Sequence, residues 1–158
     1  MFRQLSKQNK ALPRETCIQL LKEEMRGVLS LIGDNGYPYG LPTDHWYNEE
    51  DGCIYFHSGN SGHKVDALRS CDKASFCVYD RGFRKDGDWA LNIQSVIVFG
   101  RIEIIPDMEQ AIALTRAMSL KYTQDLAYIE KEIRAYSQDL LVFRLVPEHI
   151  TGKLVKES

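Results

Sequence analysis

Residues 27–44 read GVLSLIGDNGYPYGLPTD and decide how the fold of this sequence is interpreted. An apolar strand over 27–32 comes first, and the pair Asn35-Gly36 follows it. Asn-Gly is the strongest short-range signal for a tight hairpin, because both central residues must adopt positive φ. The chain therefore turns back on itself, and we expect a second, antiparallel strand from Tyr37 to Tyr47.

Further strands continue this hairpin. Turn residues at 48–52 lead to a strand at 53–57, so the first three strands form a meander. Apolar runs bounded by polar loops predict three more strands. These lie at 73–79, 96–105 and 140–146.

Apolar residues recur at helical spacing in four places. Cys17, Ile18, Leu21 and Met25 predict an amphipathic helix after Pro13. The other helices are expected over 63–69, after Asp107 and over 124–136. The sequence thus predicts a mainly β (α+β) fold, a six-stranded antiparallel β-barrel with flanking helices, in one domain over 1–158. Whether the helical insert 107–136 covers a ligand cleft or braces the barrel stays open.

The composition limits which kinds of binding partner we expect. The chain has 158 residues, 44% hydrophobic, with 20 basic and 22 acidic side chains, which suits one soluble domain with a core. A net charge of -2 provides no general attraction to nucleic acid or to an anionic membrane. We find neither a membrane-length apolar run nor a signal peptide at Met1–Lys10, and we expect a cytoplasmic protein with reduced cysteines. Cysteine and histidine spacings predict no metal site.

The segment YFHSGNSGHK, residues 55–64, carries the clearest chemistry. A strand ends, a loop of small residues follows, and a helix begins at a basic pair. Amides at a helix start attract phosphate, Ser58 and Ser61 add hydroxyl donors, and His63 and Lys64 add cationic groups. The alternative is a capped helix whose Lys64 meets only solvent. A second unusual feature is the strand with Pro38, Gly40 and Pro42, which is either a distorted edge strand or a backbone surface for a planar heterocycle.

Taken together, four ordered segments resemble the pyridoxamine 5'-phosphate oxidase-like superfamily of FMN-binding split barrels. The nitroimidazole-resistance-type branch is the most similar. The segments that carry the resemblance are Gly27–Ser30, Gly36–Pro42, Ile54–Ser58 with Gly62–Lys64, and Ser95–Gly100.

This resemblance implies a split barrel that forms a homodimer, with FMN in clefts between the subunits. Leu41, Pro42, Thr43, Asp44 and Trp46 would line the isoalloxazine side. His57 and Ser58 would lie beside the ribityl-phosphate end, and Ser61, His63 and Lys64 would hold the phosphate. Ser95 would approach the flavin from the partner subunit.

The sequence departs from the oxidase in two ways. His63 stands where the oxidase has an arginine, and the oxidase's C-terminal substrate-binding segment has no counterpart in 147–153. We therefore expect an FMN-dependent oxidoreductase of flavin-reductase or nitroreductase type, with a small planar substrate such as a nitroaromatic and a nicotinamide donor. A non-enzymatic flavin- or haem-binding carrier or sensor is the second hypothesis, and a barrel that has lost its ligand is the third.

Overall fold

A computed structural model of the chain describes residues 1–157. It confirms a mainly β fold with flanking helices. The helices are α1 (Arg14–Glu23), α2 (His63–Ser70), α3 (Met108–Ser119) and α4 (Leu126–Tyr136). The strands are β1 (Arg26–Ile32), β2 (Pro38–Asp44), β3 (Trp46–Tyr47), β4 (Ile54–Gly59), β5 (Lys73–Tyr79), β6 (Leu91–Ile104) and β7 (Leu140–Glu157).

All seven strands form one antiparallel sheet in the order β2-β1-β5-β6-β7-β4-β3. Strands β2 and β3 lie at its two ends, yet only His45 separates them in the chain. The sheet therefore curls until its two ends meet at His45, which gives a split barrel.

The number of strands corrects the expectation of six. The segment predicted as one strand over 37–47 is divided at His45, because β2 pairs with β1 whereas β3 pairs with β4. At the division, the backbone N–H of His45 donates to the hydroxyl of Tyr122, 2.8 Å away, instead of to a strand.

The predicted hairpin is confirmed: Asn35 and Gly36 have φ values of 57° and 75°. Strands β6 and β7 are longer than the apolar runs that predicted them. They pair with each other from Leu91 opposite Glu157 to Ile104 opposite Phe143. The added residues are polar on one face, which is why apolar content alone underestimated both strands.

The barrel interior is filled by aromatic rings and by one face of α1. Phe56 lies with its ring centroid 5.1 Å from those of Phe76 and Phe143, and all three side chains are buried. Helix α1 contributes Leu21, whereas Met25, which was expected on the same face, follows the end of α1 and is 46% exposed.

A second buried cluster lies on the other side of β4, beneath α3. It joins Cys53 and Tyr55 on the barrel to Ala111 and Met118 on α3. Strand β4 is therefore buried on both faces, which explains its uninterrupted apolar sequence. This packing holds α3 of the helical insert against β4.

Within residues 1–157, no helix is long and apolar enough to cross a membrane. In the same range, no three His, Cys, Asp or Glu side chains are arranged to hold a metal ion. The cysteines at 17, 53, 71 and 77 are free thiols.

Candidate ligand site

Helix α2 begins immediately after the loop that leaves β4. Its N-cap residue is Gly62, whose φ of 101° lies in the region that favours glycine, and no side chain caps the helix there. The first amides of an α-helix have no partner within the helix, so this start offers N–H groups to an anion.

Lys64 lies in the first turn of α2. Its side chain is half-buried, and burial lowers the pKa of its ammonium group. Within residues 1–157 no hydrogen bond or ion pair engages this ammonium group. A partly buried cation next to uncapped amides complements a phosphate in charge and in hydrogen bonding.

His63 makes contacts that the sequence did not indicate. Its ring stacks on Tyr39 with centroids 4.1 Å apart, and its Nε2 accepts the backbone N–H of Asp34 at 3.3 Å. These contacts tie α2 to the β1–β2 turn. A part for His63 in holding a phosphate stays a prediction.

The serines near α2 remain available for a ligand to different degrees. Ser61 is exposed in the loop, whereas the Ser58 hydroxyl donates to the carbonyl oxygen of Gly59 at 2.7 Å. Binding through Ser58 therefore requires its hydroxyl to exchange that local partner for the ligand.

Strand β2 offers mainly its backbone. It pairs with β1 alone, so one of its edges has no strand partner. Leu41 packs on the barrel core, Pro42 is exposed, and the Thr43 hydroxyl donates to the carbonyl oxygen of Asp44 at 3.1 Å. The Asp44 carboxylate lies 3.0 Å from Nε of Arg26.

A cavity of about 580 Å³ opens between this end of the barrel and the helical insert. It brings together Asp44, His57 and Ser58 from the predicted set. The insert covers the cavity, and its helix α3 also braces the barrel. The two alternatives that the sequence left open for the insert, covering a cleft and bracing the barrel, therefore both apply. From the insert and the segment after it come Thr115, Met118, Ser119, Tyr122, Thr123, Tyr128, Ile129, Glu132, Ile133, Tyr136, Ser137, Asp139 and Leu140.

Trp46 and Ser95 lie outside the cavity lining. The indole of Trp46 packs against Tyr55, with ring centroids 5.6 Å apart, next to the cluster beneath α3. The Ser95 hydroxyl donates to the carbonyl oxygen of Lys153 at 3.4 Å. Their predicted contacts with a flavin therefore require a different approach from that of Asp44 and His57.

Both histidines of the cavity lining are neutral near pH 7. His57 is exposed at the mouth of the cavity, and partial desolvation of its imidazole lowers its pKa, with nearby Asp44 opposing this shift and Lys64 adding to it. His45 is only 2% exposed, and its Nε2 lies 2.8 Å from the carbonyl oxygen of Leu21. Burial, with a smaller effect of Lys121, lowers the pKa of His45 to about 3.

The segment between α3 and α4 holds the bend at His45 through hydrogen bonds of Lys121 and Tyr122, which we call the clasp. Nζ of Lys121 donates to the carbonyl oxygens of Glu24, at 2.6 Å, and His45, at 3.1 Å. Burial lowers the pKa of Lys121 to about 8. The Tyr122 hydroxyl accepts the N–H of His45 and lies 2.8 Å from the carbonyl oxygen of Met25. These bonds join the insert, the end of α1 and the closure of the barrel.

Removing the hydroxyl of this clasp should weaken the fold. We expect Tyr122→Phe to lower the free energy of unfolding by about 1–3 kcal/mol, because the N–H of buried His45 loses its partner. Urea unfolding followed by circular dichroism measures the change. Tyr128→Phe on α4 is the matched control, since the Tyr128 side chain is 52% exposed. Equal stability of the two variants would contradict the clasp.

The insert residues of the cavity were missed by sequence reasoning. A signal was present, because Tyr128, Glu132 and Tyr136 recur every four residues and so share one face of α4. Ile129 and Ile133 lie next to that face and are buried. The sequence of α4 alone does not indicate that this face lines a cavity opposite β4.

Comparison with known proteins adds a family to this geometry. The family model for pyridoxamine 5'-phosphate oxidase matches residues 13–154. No curated protein matches the chain. Because the matched segment includes β1 to β6, α2 and most of β7, it covers the candidate site as well as the barrel.

Solved structures share the fold at low sequence identity. A Bacteroides thetaiotaomicron protein named for 5-nitroimidazole antibiotic resistance is 17% identical, with a TM-score of 0.76 over 93% of this chain and 87% of its own. A Mesorhizobium loti FAD-binding protein is 22% identical, with a TM-score of 0.70 over 92% of this chain and 97% of its own. A Mycobacterium smegmatis FAD and haem binding protein is 18% identical, with a TM-score of 0.73 over 92% of this chain and 73% of its own.

Proposed function

Since the chain belongs to the pyridoxamine 5'-phosphate oxidase family, we propose that it binds FMN and acts as an oxidoreductase of flavin-reductase or nitroreductase type. A bound flavin supplies hydride or electron transfer, while the protein supplies binding and orientation. The proposed substrate is small and planar, such as a nitroaromatic, and the proposed electron donor is a reduced nicotinamide. We also propose a cytoplasmic location, which accords with free thiols at all four cysteines in the described chain.

The observation that carries this proposal is the combination of Lys64 with the uncapped start of α2. In residues 1–157 the half-buried ammonium group has no ion-pair partner, although burial of an unpaired charge is unfavourable. A phosphate bound there would compensate the charge and would accept hydrogen bonds from the free amides. The residues present therefore fit the phosphate of FMN.

The remaining contacts follow from the placement of the site. Ser58 and Ser61 flank the proposed phosphate, and the free edge of β2 over 41–44 supplies backbone donors and acceptors to a flat ring system. Neutral His57 faces the cavity from the end of β4. It can hydrogen-bond a neutral ligand without adding charge beside the ring.

We further propose a homodimer, in which Ser95 reaches the flavin of the other copy. Its support is the outer face of the sheet, where Val28, Cys77 and Ile97 lie in one register row. Ile97 and the nearby Tyr79 are large exposed apolar side chains. Exposed apolar patches tend to be covered in the assembled protein.

Titration of the purified protein with FMN tests the cofactor. We expect perturbed flavin absorbance, saturation at one FMN per chain, and release of FMN on denaturation. A protein that remains colourless and binds no added FMN would overturn the proposal.

Anaerobic mixing of the FMN-saturated protein with reduced nicotinamide and a nitroaromatic tests the enzyme. We expect the flavin absorbance to bleach on reduction and to recover when the nitroaromatic is added. If no nicotinamide donor bleaches the flavin, the oxidoreductase proposal is wrong and a flavin- or haem-binding carrier or sensor replaces it.

A further inference from the structure

The cavity beneath the insert has an aromatic wall. Tyr122, Tyr128 and Tyr136 line it together with the apolar side chains of Ile129 and Ile133. Its volume of about 580 Å³ falls within the range of small-molecule sites. Such a wall suits a flat ring, which can stack on tyrosine or lie between tyrosine and isoleucine.

The charge of the lining is unbalanced. Among the described residues that line the cavity there are three carboxylates, Asp44, Glu132 and Asp139, and no lysine or arginine. Asp44 is neutralised by Arg26, and Asp139 accepts the backbone N–H of Asn60 at 3.3 Å. Glu132 is half-buried, and in residues 1–157 its carboxylate forms no ion pair. The insert side of the cavity is therefore anionic.

The histidines do not offset this charge. His45 and His57 are both neutral near pH 7, because the pKa of each imidazole is lowered. Lys64 lies near His57 but outside the lining, on the side proposed for the phosphate. Lys121 also lies outside the lining, where its ammonium group donates to the carbonyl oxygens of Glu24 and His45. Of the three lining carboxylates, Glu132 is thus the one without a charged or hydrogen-bonding partner in residues 1–157.

We propose that this cavity is the substrate pocket and that it prefers planar aromatic cations to planar carboxylates. Glu132 would pair with the cationic group of the ligand, while the tyrosines contact its ring. A cation over tyrosine gains a further attraction to the ring face. This proposal rests on the proposed function in that it places the substrate next to bound FMN.

Calorimetric titration with two compounds of matched shape tests the preference. The probes are 4-nitrobenzylamine, a cation at neutral pH, and 4-nitrobenzoate, an anion. We expect the FMN-saturated protein to bind the amine at least about tenfold more tightly, as a charge-assisted hydrogen bond predicts. Glu132→Gln should remove most of this difference, and Glu132→Lys should reverse it.

Glu109→Gln provides the matched control, because Glu109 is an exposed residue of α3 outside the lining. It should leave both affinities unchanged. Equal affinity of the wild type for the two probes, or an unchanged preference in Glu132→Gln, would overturn the proposal. Circular dichroism and urea unfolding of each variant establish that it is folded.

Titrations with and without FMN separate this proposal from the proposed function. If FMN expels the amine, the cavity holds the flavin itself and the substrate pocket is refuted, while FMN binding stands. If the protein binds the amine but no FMN, the preference for cations stands and the flavin function fails.

Discussion

Protonation of His45 is expected to remove on the order of 4 kcal/mol from the free energy of unfolding of the wild-type protein as the pH falls from about 6.5 toward 3. The cause is His45, whose pKa is lowered to about 3 in the folded chain from 6.5. Between these values the unfolded chain binds a proton at His45 and the folded chain does not. The contribution is fully present above pH 6.5 and is lost on acidification.

Urea unfolding at a series of pH values measures this loss, and His45→Gln isolates it. Gln keeps an amide donor for the carbonyl oxygen of Leu21 but takes up no proton. The stability of this variant should fall less steeply than that of the wild type below pH 6.5. His57→Gln separates the contribution of the second imidazole whose pKa is lowered. Parallel curves for the wild type and His45→Gln would show that the His45 ring does take up a proton in the folded state.

Lys64→Met is expected to weaken FMN binding by about 10- to 100-fold. A charge-assisted hydrogen bond to a phosphate contributes about 1.5–3 kcal/mol, and Met keeps the length of the side chain without its charge. Fluorescence titration with FMN measures the change. Without FMN the same variant should be at least as stable as the wild type, because an unpaired, partly buried charge has been removed.

Two comparisons make this result specific for the phosphate. Riboflavin has the same ring system without the phosphate, so its affinity should be nearly the same for the wild type and Lys64→Met. Lys73→Met alters an exposed lysine at the start of β5 and should leave FMN binding unchanged. If Lys64→Met binds FMN as tightly as the wild type does, the phosphate lies elsewhere.

Much of the fold could be predicted because its signals are local. The Asn35-Gly36 turn, the start of α2 after Gly62 and the cap of α3 at Asp107 each depend on a few neighbouring residues. The division of the predicted strand at His45 could not be predicted in this way. It depends on a hydrogen bond to Tyr122, 77 residues further along the chain.

The difference between local signals and contacts distant in sequence also explains which parts of the candidate site could be predicted. Lys64 could be singled out because a strand, a loop of small residues and a helix follow one another in sequence. The stacking of His63 on Tyr39 joins α2 to β2, and local sequence could not predict this contact between separate elements. The cavity was hidden for a similar reason, since α4 and β4 meet only in the folded chain.

Strand β7 has a consequence for when the protein can acquire a ligand during its synthesis. It pairs with both β6 and β4, although it follows both of them in the chain. Until 140–157 has left the ribosome, β4 and β6 each have an edge with no strand beside it, and such edges associate with other chains. Leu140 and Asp139 also belong to the cavity lining. Ligand binding therefore has to wait until β7 has left the ribosome, and the nascent chain has to remain soluble without that stabilisation before then.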